Sequence, residues 1–191
     1  MPPDGAVAPA KPARLAALPE RLHHHAYVVR DHEANRRFFE DILGIPLVAT
    51  WCEHTTVQGR PTAMCHTFFG MADGGALAFF QFADPEVYRL TQVDAPPAVR
   101  NFDHVAFKVG QSTYDEIVAR VQAAGLPIRE HDHGFCHSCY CQSPDGLAVE
   151  FTVDAPDAAA IDARQRADAH SELARWLGGD HRVNNELRPG N

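Results

Sequence analysis

Apolar residues recur along this chain with two different periods, and the two periods alternate in an order that returns once. Leu22 to Val29 (LHHHAYVV) reads as a strand, with Tyr27 and Val29 on one face and His24, Ala26 and Val28 on the other. Asp31 is placed to cap a helix whose apolar side includes Phe38, Phe39, Ile42 and Leu43, and Gly44 ends it. Ile45 to Trp51, Thr62 to Gly70 and Ala76 to Phe82 read as strands, the last two hinged at Ala72-Asp73-Gly74-Gly75. After a connector rich in proline and charge, the order recurs. Phe102 to Val109 is a strand, and Ser112 starts a helix through Tyr114, Ile117, Val118 and Val121 that Gly125 closes. Leu126 to Arg129 begins a further strand, and a hairpin turns at Ser143-Pro144-Asp145-Gly146.

The two series match in detail. LGIPLV (Leu43 to Val48) follows His24 by about as many residues as AGLPIR (Ala124 to Arg129) follows His104, and DGGALAFFQF ends the first series as PDGLAVEF ends the second. The expected fold is α+β: two βαβββ repeats forming an open, cupped mixed sheet, plus a C-terminal helix. The divisions are a flexible arm over residues 1–20, a first module over 21–84, a connector over 85–100, a second module over 101–155, and a helix and tail over 156–191. Within the last, Asp157 to Leu177 reads as a helix with Ile161, Leu173, Trp176 and Leu177 as its apolar contribution, lying over the sheet or against a second subunit.

Composition narrows the function classes. The chain has 191 residues, 45% of them hydrophobic and 22% charged, which suits a globular domain with a real core. A net charge of -8 with no basic run argues against nucleic acid or an anionic membrane as partner, and no apolar stretch is long enough for a membrane span. The Pro/Ala-rich start reads as an arm rather than a signal peptide. Five cysteines, an odd number, fit a reduced cytoplasmic chain. Cys136, Cys139 and Cys141 form C-x-x-C-x-C, but strand alternation turns Cys139 and Cys141 away from Tyr140, so buried thiols are expected there, not a tetrahedral zinc site.

With this repeat, residues 20–155 resemble the vicinal-oxygen-chelate superfamily of glyoxalases, bleomycin- and fosfomycin-resistance proteins, methylmalonyl-CoA epimerases and extradiol dioxygenases. The resemblance implies two βαβββ units cupped around a divalent metal, paired within or between chains, so that a homodimer is one arrangement.

Strand parity supports that expectation independently. His104 shares a face with Ala106, opposite Val105, Phe107 and Val109, and Glu150 shares one with Ala148 and Thr152, opposite Val149, Phe151 and Val153. Each candidate ligand thus stands opposite a bulky apolar row and beside an alanine that leaves room for a pocket. From the first unit comes a histidine among His23, His24 and His25. His24 is favoured because it faces away from Tyr27 and precedes Asp31 by the seven residues that glyoxalase-like motifs show. His24, His104 and Glu150 would suit Fe(II) best, with Mn(II), Zn(II), Ni(II) or Co(II) as alternatives. The repeat sets Gln81 at the place of Glu150, making its amide oxygen a candidate fourth ligand, as in some glyoxalases and epimerases.

The hairpin sets Tyr140 about opposite Glu150. In extradiol dioxygenases a tyrosine stands ten residues before the glutamate ligand and a histidine nine before that. Tyr140 and His131 have this spacing, with His133 as a nearby substitute for His131. The resemblance implies that they bind a catecholate oxygen and handle protons. The acid–base histidine that those enzymes carry at the start of the strand reading Gly74-Gly75-Ala76-Leu77 is missing here, and His66, on the preceding strand, is the candidate replacement if its side chain faces the cup. The expected function is a metal-dependent, extradiol-type ring-cleaving dioxygenase for a catechol-like small molecule with adjacent oxygens. The alternatives are a glyoxalase- or epimerase-type lyase or isomerase, and a metal-free protein that binds an aromatic drug. Pocket walls are expected from loops such as Glu53 to Arg60.

Overall fold

The alternation of strand and helix resolves into two four-stranded sheets built to one plan. The computed structural model describes residues 17–92 and 102–184. The N-terminal arm up to residue 16, most of the connector (93–101) and residues 185–191 lie outside the described residues. In the first sheet, β1 (His24–Val28), β2 (Leu47–Val57), β3 (Arg60–Gly70) and β4 (Ala76–Phe82) take the order β1-β4-β3-β2. In the second, β5 (His104–Lys108), β6 (Arg129–Asp132), β7 (Cys136–Gln142) and β8 (Ala148–Asp154) repeat it as β5-β8-β7-β6. The first and last strands of each unit run parallel and the others antiparallel.

A parallel pair needs a crossover, and each module supplies a helix for it. α1 (His32–Arg36) starts where the Asp31 carboxylate accepts from the amides of Glu33 and Ala34, and it continues as a wider π-helical stretch over Arg37–Ile42. The Leu43 amide accordingly donates to the carbonyl of Phe38, five residues back, and the wider turn lets Phe38, Phe39 and Leu43 all face inward. α2 (Pro85–Leu90), capped by Asp84, occupies the start of the connector. α3 (Gln111–Ala123) crosses over the second sheet and buries Tyr114, Ile117 and Val121.

The helix-facing sides of both sheets close over one apolar cluster that includes Phe39, Phe69 and Phe79 of the first module and Tyr114, Val149 and Phe151 of the second. Each such phenylalanine stabilises the fold by about 1.5–3 kcal/mol through burial alone. The opposite face of the second sheet carries His104, Glu150 and Tyr140, and that of the first carries His24 and His66 among aromatic residues.

Two expectations change. Glu53 to Arg60 is not a loop: β2 and β3 run on as a long hairpin closed by Gln58 and Gly59, both at positive φ (49° and 80°). Two such residues make a two-residue turn whose twist matches the strands, and the β-branched run Thr55-Thr56-Val57 favours the extension. The C-terminal helix α4 (Ala158–Leu177) forms as read, but none of its residues is buried; Leu173, Trp176 and Leu177 stay exposed, with the Trp176 ring against His181. Among the described residues no helix is long and apolar enough to cross a membrane.

Candidate functional site

Strand register brings the chemistry of the second sheet together. β5 and β8 align His104 with Ala148 and Ala106 with Glu150, while β7 aligns Tyr140 with Glu150. His104, Glu150 and Tyr140 therefore share the open face, and Val149, Phe151, Cys139 and Cys141 take the core face. The Glu150 side chain is 8% exposed, so its two oxygens are defined by protein contacts. One lies 2.9 Å from His104 Nε2, and the other accepts the Tyr140 hydroxyl at 2.9 Å.

The tautomer of His104 follows from its other nitrogen. His104 Nδ1 sits 2.9 Å from the Phe102 carbonyl, which can only accept, so Nδ1 carries the proton. In the neutral ring, Nε2 then presents a lone pair to a carboxylate oxygen that also offers lone pairs. Two acceptors at that distance call for a cation, either a proton on the imidazole or a metal ion held by both. A nitrogen and a carboxylate oxygen suit a divalent transition metal, with the Phe102 carbonyl fixing the ring as ligand supports do. His104 and Glu150 thus fit such an ion as two of its donors.

A hydrogen-bonded chain leads out from the carboxylate. Because the Tyr140 hydroxyl donates to Glu150, the contact of 2.7 Å between His133 Nε2 and the phenol oxygen is an N–H of His133 donating to it. Burial, reinforced by Glu150, pushes the Tyr140 phenol up to about 12, and burial followed by the nearby His131 lowers the pKa of His133. Of the two histidines foreseen near Tyr140, His133 makes the contact. His131 pairs with Ser138 across the strands, and its ring centroid lies 4.5 Å from that of His133.

The first sheet has a matching open face with different contents. His24 aligns with Ala76, Ala26 with Ala78, and His66 with both Phe80 and Trp51. The His24 ring lies 6.0 Å from His66 and 5.6 Å from Phe68, and its Nδ1 is 2.8 Å from that of His23. His66 stacks on Phe80 at 3.7 Å with its Nε2 buried and unpartnered, and burial lowers its pKa. His66 therefore does stand on the open face, beside His24. Among the described residues, no three His, Cys, Asp or Glu heads gather as a metal site, and His24 stays with the first sheet while His104 and Glu150 meet on the second.

Gln81 sits elsewhere than the repeat suggested. Its amide oxygen accepts the His32 amide at 2.6 Å, at the start of α1. The registers make Ala78 the counterpart of Glu150, since each lies beside the alanine two residues after the histidine of its unit. Gln81 stands three residues beyond that counterpart, and an odd offset turns a side chain to the opposite face. The cysteines fall as expected: Cys139 and Cys141 are buried in the core, their thiols pushed up to about 11 and about 12 by that burial.

One neighbour was not foreseen. Arg129 pairs with Tyr140 across β6 and β7, and its guanidinium stands 4.8 Å over the phenol ring. The parity that assigns Tyr140 to the cup assigns Arg129 to it as well, once the hairpin register is known.

Comparison with known proteins agrees with this architecture. The family model described as Glyoxalase/Bleomycin resistance protein/Dioxygenase superfamily matches residues 21–151. A solved structure of a glyoxalase/dioxygenase from Nostoc punctiforme is similar at 22% identity with a TM-score of 0.52, covering 75% of this chain and 99% of that one. A glyoxylase/bleomycin resistance protein/dioxygenase domain from Frankia sp. EAN1pec is similar at 17% identity with a TM-score of 0.53, covering 73% of this chain and 95% of that one. A search of curated proteins gives no match.

Proposed function

Since the chain belongs to the glyoxalase/bleomycin resistance protein/dioxygenase superfamily, we propose that it is a metal-dependent enzyme, and specifically an extradiol-type ring-cleaving dioxygenase for a catechol-like small molecule. The observation that carries this reading is the chain His133–Tyr140–Glu150–His104, in which a buried carboxylate is shared between a ligand-type imidazole and a phenol. His104 and Glu150 would hold the metal, Fe(II) in this reading, with His24 as third donor. A divalent ion bound there supplies charge stabilisation for two neighbouring substrate oxygens.

The protein's own groups do the remaining work. Tyr140, whose phenol stays protonated at neutral pH, turns its hydroxyl from Glu150 to a substrate oxygen and holds it in place. His133, bonded to the phenol oxygen, orients the tyrosine and exchanges protons with it. The alanines flanking the ligands, Ala106 and Ala148, leave the space that a flat ring needs. His24 belongs to the other sheet, so the two open faces must meet for it to contribute, within one chain or in a homodimer. His66 enters with it as the acid–base candidate of that face. The lyase or isomerase reading drew on Gln81 as a fourth donor; with that amide holding the start of α1, no feature of the site favours it separately.

The test is anaerobic loading with Fe(II), followed by oxygen uptake on a panel of catechols. Ring-opened product with stoichiometric oxygen consumption supports the proposal. No uptake with any catechol, despite one bound iron per site, removes it, and proton exchange at a substrate carbon without oxygen consumption selects the isomerase instead.

A further inference from the structure

A cavity of about 800 Å³ opens beside the second sheet, lined by His104, Arg129, His133 and Tyr140 of the open face together with Ile128 and Cys141, and its wall is uneven in character. Phe102, Pro127 and Ile128 make an apolar side, His104 and Tyr140 a reactive side, and Arg129 the one permanently charged group among the lining residues. Arg36, Arg60 and Arg175 lie against carboxylates, whereas Arg129, like Arg21, Arg30 and Arg164, forms no ion pair with any described carboxylate, and of these four only Arg129 lines this cavity. Its guanidinium stands 4.8 Å over the Tyr140 ring, and that ring's hydroxyl reaches Glu150. Stacking on a ring face leaves the N–H edges of the guanidinium free to point into the cavity. Tyr140 thus touches both groups, the guanidinium over its ring face and the carboxylate of Glu150 at its hydroxyl.

Resting on the dioxygenase reading, we propose that the substrate is an aromatic acid, a catechol-like ring whose carboxylate is taken by Arg129 while its adjacent oxygens face His104 and Glu150. A planar guanidinium matches a carboxylate through two parallel N–H···O bonds, which a neutral ring cannot make. The apolar side receives the ring itself. The spacing favours a single ring with the acid attached directly or through a short arm, since a longer molecule would carry its acid beyond the guanidinium.

The experiment compares 3,4-dihydroxybenzoate with catechol, measured as anaerobic binding to the Fe(II)-loaded full chain. Wild type is expected to bind the acid about tenfold or more tightly than catechol, as a charge-assisted pair in a partly dry cavity implies. The preference should shrink as ionic strength rises. Arg129→Met should bring the ratio close to one, and Arg129→Lys should retain part of it, with circular dichroism and bound iron showing that both variants fold. Equal affinities in wild type, or a preference that survives in Arg129→Met, overturns the assignment. If the acid preference depends on Arg129 yet neither compound is cleaved in oxygen, the substrate assignment stands and the ring-cleavage reading falls. Cleavage of both with no role for Arg129 removes the substrate assignment alone.

Discussion

The two open faces of this molecule share a plan and differ in contents. Each has a histidine at the start of its first strand, alanines beside it and an aromatic residue across the sheet. Yet where the second sheet has Glu150 the first has Ala78, and where the second has Tyr140 bonded to His133 the first has Phe68, which makes no such bond. A repeated unit keeps what packing demands, the apolar row facing the helices, and is at liberty to change the face that packing does not use. The chemistry is therefore concentrated on one copy, while the other supplies a single histidine pair, His24 and His66, in apolar company.

That asymmetry can be broken or sharpened experimentally. Glu150→Ala removes the acid that distinguishes the second face, and it is expected to lower metal affinity and turnover by more than about 100-fold, read by elemental analysis and oxygen uptake. Tyr140→Phe leaves the carboxylate but removes the phenol; turnover should fall by about tenfold or more with bound metal retained, which steady-state kinetics on iron-loaded protein will show.

The first face is expected to show itself in acid stability instead. His66 is half-buried with its Nε2 shielded, and desolvation holds its pKa below the ordinary value of 6.5, so the unfolded chain binds its proton before the folded one does. Its contribution to stability is complete above pH 6.5 and is lost as pH falls from there through the folded value. In metal-free protein His66→Phe should flatten that loss, measured by denaturant unfolding at several pH values. The smallest effect is foreseen for Gln81→Ala. Losing the amide oxygen that accepts from the His32 backbone should cost about 0.5–1.5 kcal/mol in unfolding free energy with no change in bound metal. A loss of metal in that variant would restore Gln81 as a ligand.

Much of this arrangement was legible in the sequence because it follows from parity. Alternation alone set His104 and Glu150 against their apolar neighbours, and a four-residue turn at Ser143 to Gly146 was enough to set Tyr140 opposite Glu150. What parity cannot give is register between strands not joined by a tight turn. The face of Gln81 is hidden from the sequence for that reason, and the pairing of Arg129 with Tyr140 because the link between β6 and β7 carries no tight-turn signature to fix its length. The Gln58-Gly59 turn escaped because glutamine seldom adopts positive φ, and the π-helical turn at Arg37–Ile42 because its apolar spacing still resembles an ordinary helix. How the two sheets stand to one another depends on tertiary packing, which no local pattern encodes.

Among the described residues both β1 and β5 are outermost strands, each bonded to a neighbouring strand on one side only. Their remaining backbone amides and carbonyls form a ready template for another strand, and His24 and His104 stand at the first residue of each. Any segment that zips onto either border, from the same chain or another, would bring its own side chains to the rim where a ligand-type imidazole already waits.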